Sequence, residues 1–202
     1  MRAPTAPSRR DDGCGNKSGM TDGRVVIETE RLLLRAWRPD DAEAHNVMCG
    51  DPALILTLGG PPTMSESRDV VKRQNRLLET TGCCFWALEL RDTGEFMGWC
   101  GLKPGLDGTP IAGEREIGWS LAKAYWRRGL AFEAATASLA WAWANLDIPC
   151  VAAITTPSNI RSWRLMEKLG MARVPGGDFD HPGLPEGDPL RRHILYRIER
   201  PA

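Results

Sequence analysis

The stretch Tyr125-Trp126-Arg127-Arg128-Gly129-Leu130-Ala131 combines residue types that suit the binding of an anion. It stands where a strand-like run ending at Leu121 gives way to an alanine-rich helical run from Leu130. The first amides of a helix have no partner inside it and lie at the positive end of its dipole, so such a junction attracts negative charge. Gly129 lets the backbone come close to a bulky anion, Arg127 and Arg128 add charge and donors, and small Ala131 leaves the first turn open. A diphosphate suits this description better than a carboxylate. A plainer reading is a turn glycine beside two solvated arginines, and spacing alone leaves both open. The phosphate-loop patterns G-x-x-x-x-G-K-S/T and G-x-G-x-x-G are absent.

No metal chemistry is expected. The six cysteines (14, 49, 83, 84, 100, 150) form no C-x-x-C pair, adjacent Cys83 and Cys84 suit neither a disulfide nor a tetrahedral zinc site, and the histidines (45, 181, 193) are scattered. The thiols read as reduced and mostly buried.

The elements that must position the junction follow from periodicity. Residues 29–37 read as an outer strand, and a short helix follows, with Asp40 and Glu43 spaced as a capping box. Pro61-Pro62 mark a loop. Thr63 and Glu66 open a second helix with Val70, Val71, Gln74, Leu77 and Leu78 on one stripe. Strands at 83–91 and 95–103 are joined by Asp92-Thr93-Gly94, and a fourth strand spans 114–121. Leu130 to Leu146 reads as a buried helix and residues 149–155 as an interior strand. A helix at 158–170, with Ser158 as a candidate cap, and a last strand at 191–199 complete the order β-α-α-β-β-β-α-β-α-β. Hairpins demand antiparallel pairs and the late strand–helix–strand unit a parallel one, so the fold class is α/β with one mixed sheet flanked by helices.

Bulk properties narrow the function classes. Hydrophobic residues make up 42% and charged residues 26% of the 202, with 26 basic and 26 acidic side chains. Zero net charge argues against a nucleic-acid or membrane-surface binder. No apolar run approaches the roughly 20 residues that span a bilayer, and the N-terminus has no apolar signal segment, so a cytoplasmic protein is expected. Residues 1–22, rich in Pro, Gly, Ser and Arg, read as a disordered leader before one domain at 23–202, with Met20 a second candidate start.

Three segments together resemble a known family. "YWRRGLAFEA" is similar to the pyrophosphate motif R/Q-x-x-G-x-G/A of the GNAT N-acetyltransferases, which follows the fourth strand and opens a helix. "SNIRSWRLMEKLGM" resembles the family's next segment, in which an Asn opens a helix ending in E-K-L-G-F/M. "ETERLLLRAWRPDDAEA" looks like the RimJ/RimL-like branch that acetylates ribosomal-protein N-termini. The likeness runs from about Glu28 to Arg200. Two positions depart from the motif: Trp126 replaces Gln or Arg, and Arg127 stands where many members of the branch carry Gly. Neither removes a backbone N–H.

The resemblance implies an acyl-CoA N-acyltransferase fold whose fourth and fifth strands splay to admit acetyl-CoA as co-substrate. It implies that the backbone of Gly118, Trp119, Ser120 and Leu121 pairs with the pantetheine arm. The amides from Trp126 and Arg127 through Arg128, Gly129, Leu130 and Ala131 would hold the diphosphate, and Asn159 would hydrogen-bond the arm. A helix cap is the duller role for Asn159. The implied reaction is direct acetyl transfer to a primary amine, either a protein N-terminus or a small molecule, with a homodimer compatible. Glu116 is the candidate base, on the same strand face as Gly118 and Ser120; a surface carboxylate paired with Arg115 is the competing reading. A Tyr common seven residues after the motif Asn is Met166 here, which cannot donate a proton. Ser162 or solvent would take that role. Without turnover, the same fold would serve as an acyl-CoA sensor or partner-binding module.

Residues 175–189 form a long loop with Asp178, Asp180, Glu186, Asp188 and His181, suited to a lid over a cationic acceptor or to plain solvent exposure. Trp86, Trp99, Trp119 and Trp126 lie on or beside the central strands, where most would be core and one or two could line an acceptor groove.

Overall fold

The computed structural model describes residues 23–202; the expected leader, with Cys14 and Met20, lies outside the described residues. Nine strands form the sheet: β1 (Val25–Glu28), β2 (Leu32–Arg35), β3 (Phe85–Leu90), β4 (Phe96–Pro104), β5 (Arg115–Leu121), β6 (Cys150–Thr155), β7 (Ala172–Arg173), β8 (Phe179–Asp180) and β9 (Arg192–Glu199). Their spatial order is β1-β2-β3-β4-β5-β6-β9-β7, with β8 also on β9. Strands β1 to β5 run antiparallel to their neighbours, β5 and β6 are parallel, and β9 returns antiparallel to β6. This is the mixed sheet that the hairpins and the late crossover require.

The helices are α1 (Asp41–Cys49), α2 (Pro52–Leu58), α3 (Met64–Thr81), α4 (Leu130–Asn145) and α5 (Ile160–Lys168). Strand β3 shows how the layers arise. Trp86 and Leu88 pack into the main core with Leu130, Ala134 and Leu139 of α4, while Ala87 joins Trp37, Ala42 and Val71 of the α1–α3 layer. Period-two alternation puts consecutive residues on opposite faces, so one strand feeds two cores. On α3, Val71, Gln74 and Leu78 are buried on the expected stripe, and Thr63 and Glu66 form the expected capping box. Cys49, Cys83, Cys84 and Cys100 are buried free thiols.

Four expectations are corrected. Asp40 makes no cap bond. Instead the Asp41 carboxylate accepts from the Arg38 amide at 2.6 Å and grips Arg35 at 2.7 and 2.8 Å. The 29–37 strand is not the outer one. β1 covers it, Leu32 and Leu34 are fully buried, and Arg35 is buried between Asp41 and Glu89. Helix α4 is not buried all round, since Thr136, Ala140 and Ala144 are exposed. The sequence reading also leaves α2 without an element, although Asp51 caps it at 2.7 Å with Pro52 in its first turn.

Candidate active site

Strands β5 and β6 share only the register pairs Arg115–Val151 and Glu116–Ala152. Beyond Glu116, β5 keeps its partner β4 through Leu121 but has none on the β6 side. The strands therefore part where the sequence reading places the splay. Gly118 lies in the gap, where an added Cβ would come within 2.8 Å of the Phe85 ring.

A cavity of about 570 Å³ opens from this gap along the starts of α4 and α5. Trp119, Ser120 and Leu121 line it from β5, Trp126, Arg127, Gly129, Leu130 and Ala131 from the junction, Leu54 and Thr57 from α2, and Asn159 with Ser162 from α5. Four cations, Arg127, Arg161, Arg164 and Lys168, are on its wall, and no carboxylate is. The first intrahelical bond of α4 runs from the Glu133 amide to the Gly129 carbonyl. Among the described residues nothing accepts from the six amides of Arg127 through Phe132.

Backbone conformation explains why those amides converge. Gly129 has φ 78° and Arg127 has φ 62°, both left-handed. Trp126 before them is extended (φ −66°, ψ 156°), so Trp126 and Arg127 turn the chain sharply, and successive N–H groups in such a turn form a concavity, a nest for anions. A Cβ on Gly129 would meet only Arg31 Nη2, at 3.6 Å. Conformation, rather than room inside the protein, calls for glycine there. The junction is braced from behind by residues the sequence reading did not single out. Arg31 donates from Nη1 to the Arg128 carbonyl at 3.1 Å, and from its amide and Nε to Glu133 at 3.0 and 2.7 Å. Thr29 Oγ1 donates to Glu133 at 2.6 Å. Burial works against ionised Glu133, but these hydrogen bonds from Thr29 and Arg31 outweigh it and hold the carboxyl below its usual range.

The side chains divide differently from expectation. Arg128 does not line the cavity; its guanidinium lies 5.7 Å over Tyr125. Trp126 donates from its indole to the Leu121 carbonyl at 2.7 Å, and Arg161 stacks 3.9 Å from its ring. Arg161, Arg164 and Lys168 were legible as one face of a helix from their i, i+3, i+7 spacing. Burial and neighbouring Glu95 push the phenol of Tyr125 up to about 12, so it meets an anion as a neutral group. Asn159, not Ser158, caps α5. Its Oδ1 accepts from the Ser162 amide at 3.4 Å, and its amide nitrogen donates to no described residue while lining the cavity.

A second cavity, of about 160 Å³, shares Thr57, Trp119, Ser120, Asn159 and Ser162 with the first and reaches through the gap. Its wall adds Glu116, Phe85, Trp99, Met166 and His193. Glu116 is only 8% exposed, and its partner is Lys103, not Arg115: Nζ donates to Oε2 at 2.6 Å, across the β4–β5 register. No described residue donates to Oε1. Met166 is buried, and Trp99 stacks on Phe85 at 4.7 Å, while Trp86 belongs to the core.

The loop before β9 is not structureless, because β8 pairs with β9 within it. Three of its four acids are engaged: Asp178 with Arg173, Asp180 with Arg191 and Arg192, and Asp188 with the Leu190 amide. These pairings leave little of the loop's charge for a cationic acceptor. His181 stands beside His193, ring centroids 5.1 Å apart, and burial, reinforced by His193, holds it below the usual histidine range although Glu116 pulls the other way.

Among the described residues no group of three or more His, Cys, Asp or Glu side chains is placed to hold a metal, and no helix is long and apolar enough to cross a membrane. The sequence model of the acetyltransferase (GNAT) domain matches residues 31–172. The uncharacterized protein YkkB of Bacillus subtilis (strain 168) is 30% identical over 152 residues, which are 74% of this chain and 87% of that protein. The crystal structure of an acetyltransferase (GNAT family) from Bacillus anthracis superposes with a TM-score of 0.70 at 26% identity, covering 86% of this chain and 98% of that one. The RimL ribosomal L7/L12 alpha-N-protein acetyltransferase, solved with coenzyme A, has the same fold, with a TM-score of 0.70, 17% identity, and coverage of 87% and 98%. A parted mixed sheet, a ring of unpaired amides at its mouth and the match across most of the chain lead to one assignment: the protein belongs to the GNAT acetyltransferase family.

Proposed function

We propose that this protein moves the acetyl group of acetyl-CoA directly to a primary amine. The observation that carries the reading is the pair of joined cavities. The larger has six unpaired amides and four cations without a carboxylate, and the smaller meets it at the gap between β5 and β6 and carries Glu116. A diphosphate-bearing thioester fits the first, and an amine fits the second. That the RimL acetyltransferase was solved with coenzyme A supports the choice of ligand.

In this reading the amides of Arg127 to Ala131 hold the diphosphate. Arg161, Arg164 and Lys168 contribute further positive charge along the α5 side. The free edge of β5 from Gly118 to Leu121 aligns the arm as an added strand would, and the Asn159 amide group donates to it. Acetyl-CoA supplies an acyl carbon already activated as a thioester. Glu116 draws the acceptor's ammonium group inward and, held by Lys103 through Oε2, presents Oε1 to its proton. A β5 amide near Trp119 donates to the charge that develops on the carbonyl oxygen. Ser162 lines both cavities, which supports it as the group that returns a proton to the departing thiolate; Met166 has none to give. Phe85 and Trp99 give the acceptor site an apolar wall, which suits a primary amine on a carbon chain or an N-terminal residue.

Thiol release from acetyl-CoA, measured over a panel of N-terminal peptides, polyamines and aminoglycosides, tests the reading. Turnover with at least one amine is expected. Coenzyme A binding with no thiol release across the panel would favour an acyl-CoA sensor, the alternative to which Met166 lends weight.

A further inference from the structure

A proton leaving the acceptor must go somewhere, and Glu116 is nearly enclosed and tied to Lys103. The wall of the smaller cavity holds one other group able to take it. His193, at the start of β9, lines that cavity half-buried. Its Nδ1 lies 3.1 Å from the carbonyl oxygen of Arg191. A carbonyl can only accept, so Nδ1 carries the hydrogen and Nε2 keeps the lone pair. No described residue donates to Nε2. The ring is packed between Phe179, at 5.8 Å, and His181, at 5.1 Å. The Phe179–His193 register of β8 on β9 holds that packing in place. An imidazole on a cavity wall, with its tautomer set by its own backbone and no donor on its second nitrogen, has the arrangement of a general base.

We propose that His193 is a catalytic proton acceptor of the transfer reaction, working beside Glu116. The inference rests on the amine-acetylation reading and divides the work at the acceptor end. Glu116 attracts and orients the ammonium group, and His193 Nε2 removes one of its protons. The amine nitrogen then forms the new bond to the acetyl carbon as the carbon–sulfur bond breaks. A second proton leaves that nitrogen and is matched by the one that converts the thiolate to a thiol. The balance is ammonium plus thioester giving amide, thiol and one proton, which His193 passes to solvent. The charged or titratable groups around the ring are His181 and Asp180 from the β8 segment, Arg191 and Arg192 from its own strand end, and Glu116 with Lys103 across the cavity.

The test compares His193→Asn, His193→Gln and Glu116→Gln with the wild type, following thiol release against pH for an amine the wild type accepts. Asn keeps a donor for the Arg191 carbonyl but nothing that titrates. Both His193 variants should lose about 10²-fold in kcat/KM, the lower range for general-base catalysis. They should also lose an inflection of the acid limb that Glu116→Gln keeps. Coenzyme A affinity by calorimetry should stay at the wild-type value, since His193 lies outside the larger cavity. His193 variants with wild-type rate and inflection would overturn the proposal while leaving amine acetylation standing; a wild type that acetylates no amine would remove both. Nitrogen NMR of the wild type gives an independent readout: the neutral ring should carry its hydrogen on Nδ1, and an Nε2–H tautomer would sink the assignment even if no variant folds.

Discussion

Replacing Gly129 by alanine probes the anion cradle through its backbone. The residue sits at φ 78°, ψ −1°, and a Cβ would meet nothing closer than 3.6 Å, so the perturbation is conformational and not a collision. Holding an L-residue in the left-handed region costs about 1–2 kcal/mol. Stiffening of the unfolded chain by alanine returns roughly 0.4–1 kcal/mol in the cases where the native conformation is easily adopted, and at positive φ it offsets only part of the penalty. About 1 kcal/mol therefore separates variant from wild type whenever the nest is in its binding shape. Without ligand the loop has a choice. It can keep its shape, lowering stability by that amount, or relax, in which case coenzyme A must restore the shape and binds about fivefold more weakly. The Arg31 and Glu133 brace favours the first. Either way the coenzyme-bound protein lies about 1 kcal/mol closer to its unfolded state. Denaturant unfolding with and without saturating coenzyme A, combined with calorimetry, measures both branches. Gly129→Val, β-branched, should give a larger loss of the same kind. If saturated Gly129→Ala unfolds at the wild-type midpoint with wild-type affinity, the left-handed nest is not what binds the phosphates.

Glu116→Gln should slow amine acetylation by ten- to a hundredfold near neutral pH, with the deficit easing as pH approaches the amine's own pKa; a loss that stays constant with pH would make the residue structural. Arg161→Ala and Lys168→Ala should each weaken coenzyme A by roughly fivefold and flatten its salt dependence, because each removes one exposed cation whose pull on the anion is screened by salt. Calorimetry at two ionic strengths reads this, and unchanged salt dependence would remove those residues from the site. Glu133→Gln should destabilise the fold at neutral pH. The folded carboxyl is held below its ordinary value of 4.5, so its contribution is complete above that value and disappears as pH falls through the depressed one. Unfolding curves of variant and wild type should therefore converge in acid, and a gap that persists there would show that Thr29 and Arg31 do not act through its charge.

Local chemistry and periodicity, which the sequence carries by itself, determined the sheet's mixed character, the amphipathic stripe of α3, the Thr63–Glu66 box and the strand-to-helix junction at Gly129. Each depends on residues close together in the chain, where type and spacing dictate conformation. The departure of Arg127 from glycine is legible there too, but its left-handed backbone is not, since a nest is a property of dihedrals. Tertiary structure alone decided the pairings across long separations. Lys103 meets Glu116 because β4 and β5 are in a particular register, and Arg31 reaches the Arg128 carbonyl because β2 and α4 share a core. The loop acids turned inward to arginines of β7 and β9, where the sequence offered them equally to an acceptor. His193 could be counted but not placed. Only the pairing of β8 with β9, and the parting of β5 from β6, set that imidazole on the wall of the cavity that holds Glu116, because side chains distant in sequence become neighbours through packing and register rather than through any local preference.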